Sequence, residues 1–384
     1  MNISDHIVWY PPAETNIPLH NIFEAFFSYD DSFEQVLAKY LKVDLCVSAV
    51  SARALLALLL KELHRGDSHS RNVVLIPGYT CYSVAASIVR AGLKIRVYDL
   101  DPKTLNPDMS SIRKGLEQNC LAIIHQHLFG IPSPIEDVKK IAEENGSYVI
   151  EDAAQGLGGS LKEKALGSIG HYGLYSFGRG KPLPLGCGGA LIGENKEILQ
   201  KIKIPTASKE RIQLFITASA KILAIPFFYR VAEVLPLGLG QTIFDSQFPI
   251  AAMPSVLKKL GVILMDHLKI LNEHRTRIAS IYSELLNEKF QIVPMHIAKS
   301  VFTRFPVLTD IKPIPMELFR LGVRRMYPQA ITDVPDIHPF LVDSHVKISG
   351  AIEIAQKLIT LPTHSSISDD RARSISSYIE RVCL

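Results

Sequence analysis

Between residues 73 and 177 the chain repeats one pattern, a short apolar run without polar alternation followed by a segment at helical spacing. The runs are 73–76, 94–98, 121–124, 148–150 and 172–177, and the clearest helical segments between them are 81–91 and 134–145. Unbroken apolar runs mark strands buried on both faces, whereas a strand with one wet face alternates. Strands of this kind interleaved with helices predict an α/β fold, a mostly parallel sheet flanked by helices. At 384 residues the chain exceeds what one core usually supports, and 47% hydrophobic residues leave material for two. We therefore expect a large domain over 1–245 and a smaller C-terminal α/β domain over 246–384. The second would contain a long helix over 255–288, apolar runs at 290–293 and 301–308, a helix over 315–321 and a final helix. Ahead of the sheet, apolar residues at helical spacing (Ile22, Phe23, Phe26, Phe27, then Phe33, Val36, Leu37, Tyr40, Leu41) predict one or two helices packed on the main domain.

Chemistry concentrates between Tyr148 and Gly193. The run 148–150 stops at Glu151-Asp152, which places Asp152 at the carboxyl end of a buried strand, facing a cleft. The run 172–177 ends in Gly178-Arg179-Gly180, and Lys181 follows in a loop that Pro182, Pro184, Gly186, Gly188, Gly189 and Gly193 keep out of regular helix. An acid at one strand end and a positioned lysine after the next are the two protein groups that pyridoxal phosphate chemistry needs. The amine bonds the aldehyde, and the carboxylate keeps the ring nitrogen protonated. Ser176 could offer a hydroxyl to the phosphate. Spacing alone leaves a plainer reading equally open, with Asp152 a helix cap and Lys181 a surface charge. Likewise Ser48 and Ser51 precede an apolar helix over 53–60. Its free N–H groups make either a phosphate seat or simply a capped core helix.

Several of these residues fall together in one resemblance. Glu151-Asp152-Ala153-Ala154-Gln155, then Gly167 to Gly170, then Ser176-Phe177-x-x-x-Lys181 and Gly186-x-Gly188-Gly189, resemble in order the signature of the DegT/DnrJ/EryC1/StrS family. These are sugar aminotransferases of the aspartate aminotransferase fold, type I. The resemblance implies pyridoxal 5'-phosphate as cofactor, Lys181 as the Schiff-base lysine, Asp152 as partner of the pyridine nitrogen, Gln155 as a neighbour of the ring and Ser176 as a phosphate ligand. It adds Ser51 and Ala52 to the cofactor seat through a "G-T-A"-like step, here Val50-Ser51-Ala52 with Val50 in place of Gly. The family's cofactor-stacking aromatic falls at Cys81, which leaves the ring partner open between the adjacent Tyr82 and another residue, and Tyr82 reads equally as an ordinary core aromatic at the start of a helix. His127-Leu128-Phe129-Gly130 resembles an "H-L-x-G" strand end near the cofactor, and Leu361-Pro362-Thr363-His364 the "L-P-x-H" C-terminal signature. The "N-x-R-M" step, whose Asn reaches a partner subunit's phosphate, has no counterpart here.

By the same resemblance the chain is expected to act as a homodimer. It would pass an amino group from an amino acid, glutamate in most of the family, to a keto sugar linked to a nucleotide, in polysaccharide or secondary-metabolite synthesis. Three alternatives stand beside this. They are a sugar dehydratase, against which Lys181 argues because such members carry His there; an aminotransferase for a non-sugar ketone; and a regulatory member without turnover.

A net charge of +4 with scattered basic residues gives no support for a nucleic-acid partner. Five cysteines without paired spacing fit a reducing compartment, and the N-terminal residues lack the basic and apolar pattern of an export signal, so a cytoplasmic protein is expected. His125 and His127 share a strand face, but no third ligand stands at matching spacing, so no metal site is expected. The apolar segment 212–239 is divided by Lys221, Pro226, Arg230 and Glu233 into pieces shorter than the roughly 20 residues of a span. A buried or interface helix is expected there, with a peripheral amphipathic anchor as the other reading.

Overall fold

The apolar runs assemble into one seven-stranded sheet. A computed structural model describes residues 9–13, 17–29, 32–116, 119–206, 242–286, 290, 299–342 and 347–383. Two helices, α1 (Leu19–Phe27) and α2 (Phe33–Leu41), precede strand β1 (Cys46–Ala49), so the 21–43 segment resolves into a pair. Then follow α3 (Ala52–Gly66), β2 (Val73–Pro77), α4 (Tyr82–Arg90), β3 (Lys94–Tyr98), α5 (Met109–Leu116), β4 (Cys120–Gln126), α6 (Ile135–Glu144) and β5 (Tyr148–Asp152). A small hairpin, β6 (Ser160–Leu161) and β7 (Lys164–Ala165), leads to β8 (Tyr172–Ser176), β9 (Gly189–Gly193) and α7 (Lys196–Lys201). The strand order is β1-β9-β8-β5-β4-β2-β3.

The four pairings between β3, β2, β4, β5 and β8 are parallel, whereas β9 runs antiparallel to both β8 and β1. The reason is in the connection. A parallel partner needs a crossover, usually helical, and the segment from Phe177 to Gly188 is too rich in Pro and Gly to make one, so β9 folds back. Strand β1 then adds beside β9 and points the same way as the parallel set. Its carboxyl end, with those of β2, β4, β5 and β8, lies at one edge of the sheet.

The helices cover this sheet through apolar stripes. Leu55, Leu56, Leu59, Leu60 and Leu63 of α3 are buried, each contributing about 1.5–3 kcal/mol. Ser51 is its N-cap, whereas Ser48 lies within β1 and its hydroxyl donates to Glu34 Oε1 at 2.6 Å. Only one of the two candidate caps therefore serves.

After the sheet, the long helix α8 (Ser255–Leu285) spans two environments. Its first half packs with α1 and α2 in a cluster containing Phe33, Leu37, Leu257, Leu260 and Leu264. Its second half lies under a two-stranded antiparallel sheet, β10 (Arg304–Leu308) and β11 (Leu358–Pro362), which carries α9 (Met316–Arg320), α10 (Ser349–Lys357) and α11 (Asp369–Cys383) around it. Tyr282 of α8 packs on Phe305, and its hydroxyl donates to Pro362 O at 2.9 Å. The 301–308 run becomes a strand only from Arg304. The apolar segment 212–239 and nearly all of 290–293 lie outside the described residues. Among the described residues, no helix is long and apolar enough to cross a membrane.

Candidate active site

At the carboxyl edge of the sheet the loops leave a cleft of about 260 Å³. Ser51, Ala52, His127, Asp152, Gln155, Ser176 and Lys181 all line it, so seven of the eight residues singled out from the sequence converge there, with Gln126 beside them. Residues 51 and 181 are brought together because β1 and β8 flank β9, and because Ser51 bridges Gly188 while Ser176 pairs with Gly189.

Tyr82 is the exception. As the first residue of α4 it is buried away from the cleft, its hydroxyl donating to Gln329 O at 3.2 Å and accepting from Gln329 N–H at 3.1 Å. Its predecessor Cys81, the N-cap of α4, lines the cleft instead, with its Sγ accepting from the Ser83 hydroxyl at 3.0 Å. The turn into the helix directs residue 81 to the site and residue 82 towards the C-terminal segment.

The two central groups are displaced in opposite directions. Burial pushes the Asp152 carboxyl up; the Ala154 N–H, at 3.0 Å from Oδ1, and the nearby Lys181 and His127 side chains only partly offset it, so it stays above its ordinary value. Burial pushes the Lys181 ammonium down, and Cys81 and Asp152 only partly restore it. A larger share of the lysine is thus free amine at a given pH, and the aspartate is poised to gain from a cation placed beside it.

Beside them the N-terminus of α3 is exposed to the cleft. Ser51 is extended (φ −160°, ψ 154°), and its Oγ accepts the Ala54 N–H at 3.3 Å. The approach of β9 to this terminus requires glycine, because a Cβ on Gly189 would fall 2.3 Å from Ala52 N. Free N–H groups, the positive end of a 15-residue helix and the Ser51 and Ser176 side chains together form an anion seat. An amine, a carboxylate and an anion seat around one cleft fit the aldehyde, ring nitrogen and phosphate of pyridoxal phosphate.

Other contacts hold the lining in place. Gln155 Oε1 accepts the Thr303 hydroxyl at 2.8 Å, and Gln126 Nε2 donates to Tyr79 O at 2.8 Å. The His127 N–H donates to Asp152 O at 3.0 Å. His127 Nδ1 accepts the Ser133 N–H, so the ring proton sits on Nε2 and is donated to Glu151 Oε1 at 2.8 Å. Glu151 also accepts from the N–H groups of Gly167, Ile169 and Gly170 at 2.5, 2.8 and 2.8 Å. Gly167 to Gly170, noticed in the sequence only as a motif, therefore wrap this buried carboxylate.

Tyr327, Thr303 and Glu151 were not singled out from the sequence as residues that build or support the site. Tyr327 lines the cleft and packs on Tyr79 at 5.2 Å between ring centres, an arrangement that unites residues 248 positions apart. Glu151 could have been found by strand alternation, which turns it away from Asp152 into the core. His125 and His127 do share a face, with rings 5.3 Å apart, but among the described residues no set of three or more His, Cys, Asp or Glu is placed to hold a metal ion.

This fold and this site define a pyridoxal-phosphate-dependent aminotransferase. Residues 19–215 match the model of the DegT/DnrJ/EryC1/StrS aminotransferase family, about half of the chain, and the protein belongs to that family. The spore coat polysaccharide biosynthesis protein SpsC of Bacillus subtilis is 29% identical, over 88% of this chain and 85% of its own. A dTDP-4-dehydro-2,3,6-trideoxy-D-glucose 4-aminotransferase of Saccharopolyspora spinosa is 21% identical, over 91% and 88%. The solved structure of Helicobacter pylori PseC, an aminotransferase involved in the biosynthesis of pseudoaminic acid, superposes with a TM-score of 0.76 at 18% identity, covering 98% of this chain and 99% of that one. The family is one of sugar aminotransferases.

Proposed function

We propose that this chain transfers an amino group from an amino acid, glutamate first among candidates, to the keto carbon of a nucleotide-linked sugar. The observation that carries the chemistry is the pairing in one cleft of a buried amine held below its ordinary pKa and a carboxylate held above its own. The nucleotide-linked keto sugar is supported by the dTDP-sugar in the name of the Saccharopolyspora relative, and the polysaccharide setting by that of SpsC.

Bound in the cleft, pyridoxal phosphate supplies the carbonyl that takes up the amino group and the electron-withdrawing ring. Lys181 Nζ would hold the aldehyde end, and as a free amine it would take up the proton that leaves the donor's α carbon. Asp152 keeps the ring nitrogen protonated, and in doing so gains the cation that its buried carboxyl lacks. Ser51, Ala52 and Ser176 hold the phosphate, while Gln155 and His127 fix the walls. Cys81 takes the lining position next to Lys181 that Tyr82 does not reach. We further propose a homodimer, supported by the exposed Phe23, Phe26 and Phe27 of α1.

The test loads purified protein with pyridoxamine phosphate and offers a panel of keto sugars, nucleotide-linked and free, while the absorbance of the aldehyde form is followed. Recovery with a nucleotide-linked ketone supports the reading. Recovery only with free ketones overturns the substrate assignment. Failure of glutamate to convert the aldehyde form to the amine form removes glutamate as donor.

A further inference from the structure

Lys181 sits in a loop whose ends are fixed to the sheet but whose middle is not. Phe177 N–H donates to Gly188 O at 2.9 Å and Leu185 N–H to Phe177 O at 2.8 Å, which closes the base of the loop. At the lysine itself, the N–H reaches Gly178 O at 3.3 Å. The carbonyl side is held from another element altogether. Arg275 of α8 donates from Nη2 to Lys181 O and from Nη1 to Pro182 O, both at 3.3 Å.

This guanidinium is 5% exposed, and burial alone pushes its pKa down to about 10, so it is still a cation at neutral pH. Among the described residues it forms no ion pair. All of its hydrogen-bond acceptors are neutral, the third being Asn272 Oδ1 at 2.7 Å. Asn272, one turn earlier on the same helix face, donates from Nδ2 to Leu157 O at 3.0 Å. The pair therefore ties two strand-end segments to α8, the one with Lys181 and the one that runs on from Asp152 through Gln155. A buried cation without a carboxylate costs stability. Its planar fork is aimed at the two carbonyls around the reactive lysine, where the flat, fixed donor geometry of arginine sets direction as well as distance.

We infer that Arg275, oriented by Asn272, is a positioning residue for Lys181: it fixes the carbonyl of the lysine so that the flexible side chain starts from one place relative to Asp152. The inference rests on the functional reading above for the role of Lys181. It also makes a claim about the loop that holds without cofactor.

The experiment compares wild type with Arg275→Met, Arg275→Lys and Asn272→Ala, in the loaded and the cofactor-free protein. In Arg275→Met, turnover is expected to fall about 100-fold, the usual effect of misplacement by about 1 Å, with KM for the amino donor within about threefold of wild type. The pH midpoint of the bound cofactor's absorbance is expected to shift by about half a unit or more, because the amine no longer meets Asp152 in its fixed setting. Arg275→Lys restores only part of this, because an ammonium cannot fork. Asn272→Ala moves both readouts the same way by a smaller amount, and it carries the test if Arg275→Met does not fold. In cofactor-free protein, amides of 178–188 are expected to exchange hydrogen about tenfold faster in the variants. A variant that melts earlier but keeps the wild-type turnover, KM, pH midpoint and loop exchange overturns the inference and makes Arg275 a structural brace. If wild type does not take up pyridoxal phosphate, the functional reading falls, while loop exchange still decides whether the clamp exists.

Discussion

Glu151 and Asp152 are neighbours in β5, yet they lie on opposite faces of the strand and under opposite electrostatics. Burial acts on both and would raise both carboxyls. For Glu151 the His127 ring and the surrounding backbone N–H groups outweigh it and hold the carboxyl below its ordinary value. Asp152 has the Ala154 N–H and, further off, the Lys181 and His127 side chains, and stays above its own. The difference shows that burial alone does not decide what an acid does. A carboxylate whose lone pairs are filled by fixed donors is an anchor, and one left short of donors is a receptor for a cation still to arrive.

The comparison can be broken by substitutions that act on one face only. The largest effect is expected for Lys181→Ala, which removes the group facing Asp152. Turnover should fall by about 10²–10⁴-fold or more, with a melting temperature near wild type. Loss of turnover through unfolding would mean that the lysine belongs to the anchor side. Next, Glu151→Ala leaves the His127 ring and three backbone N–H groups without an acceptor in the core. A stability loss of about 3–5 kcal/mol is expected in denaturant titration, and the protein that remains folded should turn over within a few-fold of wild type. Asp152→Asn is expected to show the reverse, a fall of about 10²–10³-fold in turnover with little change in stability. Equal effects of the two substitutions on both readouts would erase the distinction.

The smallest effect concerns His125, which shares the Glu151 face. It is fully buried, neither ring nitrogen has a hydrogen-bond partner among the described residues, and burial together with neighbouring His127 pushes its pKa down to about 3. The folded value lies below the unfolded one of about 6.5, so the unfolded chain takes up the proton first as pH falls. Stability is therefore complete above about pH 6.5 and declines towards pH 3, by about 2 kcal/mol between pH 7 and pH 5. In His125→Phe this part of the acid limb should be absent from pH-dependent unfolding. An unchanged limb would place the acid sensitivity elsewhere.

What could be seen in the sequence were the features that a few adjacent residues determine. Strand ends, the Pro- and Gly-rich loop around Lys181 and the cap at Ser51 are local, and the unbroken apolar runs announced the parallel sheet. The reversal of β9 was equally local in cause, since the loop before it holds no helix, but its place between β1 and β8 depends on residues far apart. Contacts that complete the site also span long separations, among them 94 residues for Arg275 on Lys181, 148 for Thr303 on Gln155 and 248 for Tyr327 on Tyr79. No periodicity within a window reports such pairs. The choice between Cys81 and Tyr82 turned on a single residue of register at a helix start, finer than spacing can resolve.

The placing of β1 also has a consequence for the order in which the protein is made. Among the described residues its sole sheet neighbour is β9, and Ala49 meets Gly189, 140 residues further along the chain. On the ribosome β1 must wait for that partner, for about 7–30 seconds at the usual 5–20 residues per second. Until then the anion seat at Ser51 has no floor, and the nascent chain carries the lysine's future neighbours before it carries a site. The cofactor seat is thus incomplete until β9 has been made, and any pause in translation before Gly193 prolongs the life of an open strand edge.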